Sequence, residues 1–253
     1  MLALMAALKP LSGGGGGGGG LSVVGAVTGG STAANYAVSI LSLTPPGGGA
    51  AVAAQAGDEA WVWTGWGSTV DAAPGVDSGV TTGFVTALGS ADLYQAGTRA
   101  CNMALQHRVL TATDITTGSI TVKGPNTAGR GGGTVIVVTR GQNASPLDGS
   151  VQTAAGTTES FDAPSYTPSV SGDLILAFGA GTRPGTPGGA GTLPTDMTLL
   201  GSLVSAGTAI GLQVAAFLKT GVGAGTAFNP DATVGPNNNA SDTWLAATMG
   251  VKS

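Results

Sequence analysis

The residues best suited to chemistry are few in this chain, and their spacing forms no known catalytic or metal-binding arrangement. It contains a single histidine, His107, and a single cysteine, Cys101. Metal sites built on several imidazoles or thiolates are therefore excluded. The Gly-x-Ser-x-Gly elbow of many Ser-His-acid hydrolases does not occur. Alternation places His107 on a strand, where we expect a structural or solvated role, and we expect Cys101 to be a small buried hydrophobe. The sequence predicts a protein that is not an enzyme and holds no cofactor or metal.

The acidic residues are scattered, and two of them stand in matching places. Asp58 and Asp173 each follow a glycine and precede an apolar segment. A short carboxylate at such a turn can accept hydrogen bonds from neighbouring backbone amides, so we expect a structural role for both. The spacing suggests no carboxylate pair. The tract Gly13–Gly20 contains the pattern G-x-G-x-x-G, but no strand precedes it, so we do not interpret it as a nucleotide site.

Three tryptophans allow two interpretations. Trp61 and Trp63 share one face of a predicted strand, and Trp66 follows them. If exposed, they would form a stacking platform for a cell-envelope glycan. If buried, they would be the largest part of a core. The matching segment of the second half carries Leu174 and Leu176, which are core residue types, so burial is favoured and the glycan platform is the alternative.

Composition narrows the range of partners. Only 9% of the residues are charged, 46 are glycine, and the net charge is −4. The absence of a basic run argues against nucleic acid as the main partner. No stretch approaches the roughly 18 apolar residues of a membrane span. Residues 1–8 lack the charged region and cleavage motif of a secretory signal peptide, so we do not interpret them as one.

Strand signals recur along the chain, bounded by Gly, Pro, Asn and Asp, and helical periodicity is nearly absent. The fold class is therefore predicted to be all-β. The clearest predicted strands are Tyr36–Leu43, Glu59–Thr64, Arg99–Leu110, Ser119–Lys123, Thr134–Thr139, Asp173–Phe178, Gly211–Lys219 and Asp242–Met249.

An internal repeat organises these strands. Four segments recur in the same order at a spacing of about 110 to 130 residues. The pairs begin at Ser22 and Ser150, at Gly57 and Gly172, at Ala96 and Ala206, and at Thr134 and Thr243. We predict two tandem jelly-roll-like β-sandwich units, 22–145 and 146–253, after an N-terminal arm, 1–21. The alternative is one large sandwich with one sheet from each half.

In its repeated segments the chain resembles β-sandwich structural proteins of tailed bacteriophages, especially minor tail or virion-surface proteins of phages that infect actinobacteria. The resemblance lies in the Gly-Asp strand starts, Gly57–Trp61 and Gly172–Leu176, and in Val135–Gly141 followed by Ser145–Asp148. It implies a structural role in the virion, with other virion proteins as partners and self-association as a homo-oligomer. A minor tail or tail-tip protein is the first expectation. The alternatives are a capsid decoration or head-fibre protein, and a host-glycan-binding module.

The N-terminal arm combines an apolar segment with eight consecutive glycines. Its candidate assembly residues are Met1, Leu2, Leu4, Met5, Leu8, Gly13 and Gly20. Only glycine lets backbone approach backbone directly, and eight residues in a polyproline II conformation span roughly 25 Å. We predict an extended arm that passes between subunits, with a loose tether as the alternative.

Overall fold

The computed structural model describes most of the two predicted units. The described residues are 20–31, 35–68, 71, 73–88, 93–97, 99–123, 130–157, 160–183, 196–205, 210–230, 233–234 and 243–253. Of the predicted arm, only Gly20 and Leu21 belong to them.

Among these residues the secondary structure is almost entirely strand, which confirms the all-β prediction. The strands of the first half are β1 (Ser22–Ser31), β2 (Asn35–Ser39), β3 (Glu59–Ser68), β4 (Gly75–Val76), β5 (Val85–Thr86), β6 (Leu93–Gln95), β7 (Ala100–Val109), β8 (Ser119–Lys123) and β9 (Gly132–Arg140). Those of the second half are β10 (Leu147–Gly156), β11 (Ser160–Phe161), β12 (Leu174–Arg183), β13 (Thr198–Ser205), β14 (Gly211–Lys219), β15 (Thr233–Val234) and β16 (Trp244–Val251). One short helix, α1 (Ala112–Thr117), lies between β7 and β8. No helix in the described part of the chain is long and apolar enough to cross a membrane.

Each half builds one large antiparallel sheet, and the two sheets have the same strand order. The first sheet runs β1-β9-β3-β7-β5, with β6 also paired to β7. The second runs β10-β16-β12-β14-β13. The four repeated segments fall on corresponding strands: β1 and β10, β3 and β12, β7 and β14, and β9 and β16.

The exact register of the repeat differs from the alignment that the sequence suggests. Trp63 pairs with Leu105, and Phe178 pairs with Ala216, so Leu105 corresponds to Ala216. The sequence alignment matched Leu105 with Ala215 instead. Because side chains alternate between the faces of a strand, this one-residue shift would have placed the apolar residues of β14 on the wrong face.

The main core lies between the two large sheets, which pack face to face. Trp61, Trp63 and Leu105 face this core from the first sheet, and Phe178 and Val214 face it from the second. Apolar surface buried in this way is the principal stabilising contribution in a β-sandwich. Each half therefore provides one sheet of a shared sandwich, as in the alternative prediction.

The outer faces of both large sheets are also covered. A three-stranded sheet, β2-β8-β4, packs on the first through residues such as Ile120, Val122 and Ile136. On the outer face of the second, Ala163 packs against Phe217 and other buried residues. Because the central strands are covered on both faces, their apolar runs are continuous rather than alternating.

The packing of the two sheets is approximately two-fold symmetric. Trp63 and Phe178 occupy equivalent positions and stack on each other, with their ring centroids 5.0 Å apart. Contact between equivalent residues is what a two-fold relation produces. Two hydrogen bonds between equivalent positions repeat this relation: Gly131 N donates to Ile210 O at 2.8 Å, and the hydroxyl Oγ1 of Thr243 donates to Arg99 O at 2.8 Å.

Candidate functional site

The three tryptophans are core residues, which confirms the favoured prediction of burial, and the alternative of a glycan platform is wrong. The side chains of Trp61, Trp63 and Trp66 are all 0% exposed. The indole nitrogen of Trp61 donates to Thr139 Oγ1 at 3.1 Å, and that of Trp63 lies 3.4 Å from the carbonyl oxygen of Gly179. Since both faces of β3 are covered, none of these rings can stack on an external sugar.

His107 has a structural environment at the edge of the main core. Its Nδ1 lies 2.6 Å from Glu59 Oε1, and its ring stacks on Trp61 at a centroid distance of 4.7 Å. Glu59 is 1% exposed, and its Oε2 has no hydrogen-bond partner among the described residues. These two contacts fix the orientation of the imidazole ring against the buried Trp61.

Cys101 is fully buried, as the sequence predicts. Burial raises the pKa of its thiol, so the reactive thiolate is suppressed. Among the described residues no group of three or more His, Cys, Asp or Glu side chains is placed to hold a metal ion.

The predicted arm joins the folded body at an edge of the first sheet. Leu21 is half-buried and packs on the main core, and β1 begins at the next residue. Gly20 is exposed, and apart from its neighbours in the chain no described residue has an atom within 4 Å of the position that a Cβ would occupy there. The other predicted arm residues, Met1, Leu2, Leu4, Met5, Leu8 and Gly13, lie outside the described residues.

The Gly-Asp turn of the first half is held by an ion pair. Gly57 has a φ of +95°, which favours glycine, and Asp58 Oδ2 accepts a hydrogen bond from Gln55 N at 2.8 Å. This contact confirms the expected role of Asp58 in binding backbone amides. Asp58, 2% exposed, also receives two hydrogen bonds from Arg140, at 2.7 and 2.9 Å. The buried carboxylate is thus compensated by a bidentate guanidinium.

The equivalent turn of the second half contains a carboxylate pair that the sequence does not predict. Gly172 has a φ of +96°, and Asp173 Oδ1 accepts from Ser253 N at 3.3 Å. Asp148 lies close enough to Asp173 for each carboxyl group to affect the pKa of the other. Asp173 is 1% exposed, and its Oδ2 has no hydrogen-bond partner among the described residues.

The pKa values of the two carboxyl groups are shifted in opposite directions. Burial, reinforced by the charge of Asp148, raises the pKa of Asp173. Burial also acts to raise the pKa of Asp148, but hydrogen bonds from the backbone and hydroxyl of Ser169 outweigh it and hold that pKa below its usual value. Of the two carboxyl groups, Asp173 therefore holds its proton more tightly than Asp148 does.

A polar pocket of about 310 Å³ opens beside α1 in the first half. Its lining residues are Val80, Thr81, Thr82, Arg108, Thr111, Thr113, Asp114, Thr117 and Ser119. We call it the threonine pocket. The helix starts at a capping box formed by Thr111 and Asp114, and it ends at Gly118 with a φ of +73°. These two signals are visible in the sequence and would have predicted the helix.

Comparison of the chain with protein-family models, curated proteins and solved structures finds no match.

Proposed function

We propose that the chain is a non-enzymatic structural component of a bacteriophage virion, a minor tail or tail-tip protein anchored by its N-terminal arm. Its partners would be other virion proteins, including further copies of the chain. The sequence resemblance supports the class of protein. The observation that carries the anchoring role is the junction at Gly20 and Leu21.

At this junction Leu21 is packed on the folded body, and Gly20, the residue before it, is exposed. Leu21 packs on the main core, so the start of β1 is held by the folded body. Gly20 is exposed and has free space around it, so the preceding residues can leave the body without displacing any part of it. A segment that is tethered at a sheet edge can bind a neighbouring subunit while the sandwich stays unchanged.

The mechanism would be geometric. Met1, Leu2, Leu4, Met5 and Leu8 bury their apolar side chains on the neighbouring subunit, and Gly13–Gly20 pass through a narrow gap between subunits. Each fully buried leucine or methionine contributes about 1.5–3 kcal/mol of binding free energy before the cost of ordering is subtracted. Ordering of the glycines costs about 1–2 kcal/mol per residue, so the gap must provide contacts along the tract.

Deletion of residues 1–20 tests the proposal. We expect the truncated chain to remain folded and soluble, because Leu21 and the complete β1 are retained, and to be missing from purified particles. A matched variant keeps the length and the glycines and replaces Leu2, Leu4, Met5 and Leu8 with serine. We expect this variant to be excluded from particles as well.

Normal incorporation of the deletion variant would refute the anchoring role. Labelling of purified particles with an antibody against the chain would locate it, and density on the capsid rather than the tail would favour a decoration protein. Absence of the intact protein from particles would refute the virion role itself.

A further inference from the structure

We propose that the threonine pocket binds a neutral saccharide. This inference is independent of the proposed anchoring role, since the pocket lies in the folded body and involves no arm residue. A volume of about 310 Å³ falls at the lower end of the range for small-molecule sites.

The charged side chains that line the pocket, Arg108 and Asp114, are already paired with other groups of the protein. Arg108 donates to Asp114 Oδ1 and to the carbonyl oxygen of Thr82, and only its buried Nε lacks a partner. Asp114 Oδ2 accepts from the backbone nitrogen and the hydroxyl of Thr111, at 2.7 and 2.6 Å. An anionic or cationic ligand would therefore find no uncompensated opposite charge, which leaves a neutral ligand.

The hydroxyl groups, in contrast, are free. The side chains of Thr82, Thr113, Thr117 and Ser119 line the pocket, and none forms a side-chain hydrogen bond with another described residue. Each hydroxyl can both donate and accept, as the hydroxyls of a sugar also do. The threonine methyl groups and Val80, which is 66% exposed, add apolar surface suited to the C–H face of a pyranose.

The floor of the pocket is held in place before any ligand arrives. The guanidinium of Arg108 lies over the ring of Phe84, 4.9 Å from its centroid, and the ion pair with Asp114 ties β7 to the first turn of α1. Groups fixed in this way lose little entropy on binding, which favours even a shallow site.

The two halves share one feature of the threonine pocket, the cation that lies over an aromatic ring, but not the helix beside it. Lys219 corresponds to Arg108, lies over the ring of Phe228 at 5.1 Å, and pairs with Asp196 at 3.5 Å. The cation on an aromatic ring is therefore common to both halves. The described residues 220–230 that follow β14 form no helix, whereas α1 and its hydroxyl-lined pocket follow β7 in the first half.

The test uses the full-length chain and a panel of neutral methyl glycosides, namely methyl α-D-glucopyranoside, methyl α-D-mannopyranoside and methyl β-D-galactopyranoside. Binding is followed by backbone amide chemical shifts at sugar concentrations up to about 20 mM, enough to half-saturate a site with a Kd of that size. We expect at least one glycoside to shift the amides of Thr82, Thr113 and Thr117. Glucuronate, the charged counterpart, should shift them less.

Two valine variants provide the decisive comparison, because valine has nearly the shape of threonine without the hydroxyl. The double variant Thr113→Val, Thr117→Val should bind about tenfold more weakly or worse. Thr116→Val is the matched control, since Thr116 lies outside the pocket and its hydroxyl donates to Ala112 O. No shifts with any glycoside, unchanged binding in the double variant, or equal loss in the control would each overturn the proposal.

Discussion

Substitution of the two equivalent aspartates by asparagine should change stability in opposite directions. Asp58 and Asp173 occupy matching Gly-Asp turns, but Asp58 faces the guanidinium of Arg140 and Asp173 faces the carboxylate of Asp148. We therefore predict that Asp173→Asn stabilises the protein at pH 7, and that Asp58→Asn destabilises it.

The effect at Asp173 follows from its raised pKa. Below the unfolded pKa of about 4, Asp173 is protonated in both the folded and the unfolded state, and its contribution to stability is complete. As the pH rises through the higher folded pKa, this contribution is lost, because the folded state must give up a proton that it holds more tightly. Asparagine has no proton to lose and can donate to Asp148. Relief of a buried, unpartnered carboxylate oxygen is worth about 1–3 kcal/mol at pH 7, falling toward zero below about pH 4.

The effect at Asp58 follows from its ion pair. Asparagine removes the charge that receives both hydrogen bonds from Arg140. The side chain of Arg140 is 45% exposed and can be hydrated after the change, so the cost stays below that of breaking a fully buried pair. We expect a loss of about 2 kcal/mol, the scale of hydrogen bonds to a charged group.

Urea unfolding followed by tryptophan fluorescence measures both changes, because the indoles of Trp61, Trp63 and Trp66 are buried in the folded state. The measurement is made at several pH values between 4 and 8. For a chain of this size, 1 kcal/mol corresponds to about 2–4 °C in Tm, so thermal unfolding gives a second readout. Destabilisation by Asp173→Asn at pH 7, or a stabilisation that does not decline toward pH 4, would contradict a raised pKa of Asp173 in the folded protein.

Two further predictions concern the core. Gly132→Ala should cost about 1–3 kcal/mol, because a Cβ there would lie 2.4 Å from ring atoms of the buried Trp66. Gly223→Ala, whose nearest atom is 3.5 Å away, should change stability by less than about 0.5 kcal/mol; equal urea midpoints for the two variants would contradict this. Cys101 should react with a thiol reagent at pH 8 only as fast as the protein unfolds, because the thiol is buried and its pKa is raised. Immediate labelling of the folded protein would exclude the buried position.

The fold was predictable where residue pattern alone determines structure. The Glu59–Thr64 and Thr134–Thr139 segments are apolar and bounded by turn residues, and they form parts of β3 and β9. The repeat was visible because the Gly-Asp turns need a glycine at positive φ and a short carboxylate in both halves. Alternation and turn chemistry are local, so a sequence displays them directly.

Features that depend on contacts between distant residues were not predictable. The pair of Asp148 and Asp173 forms only because β10 and β12 both lie next to β16, and no spacing along the chain indicates this. Burial of the tryptophans was favoured by the sequence, but the cover of Trp61 and Trp63 is the second sheet, which no pattern near them indicates. The register of β14 was missed by one residue, since weak sequence similarity cannot fix an alignment to a single position.

Cryo-electron microscopy of the assembled particle would show whether the chain is a virion component held by its arm. We expect continuous density for residues 1–20 that leaves the body at Leu21 and runs through a narrow gap against a neighbouring subunit. A map of the particle in which this segment touches no neighbour, while the folded body makes all the contacts, would contradict it.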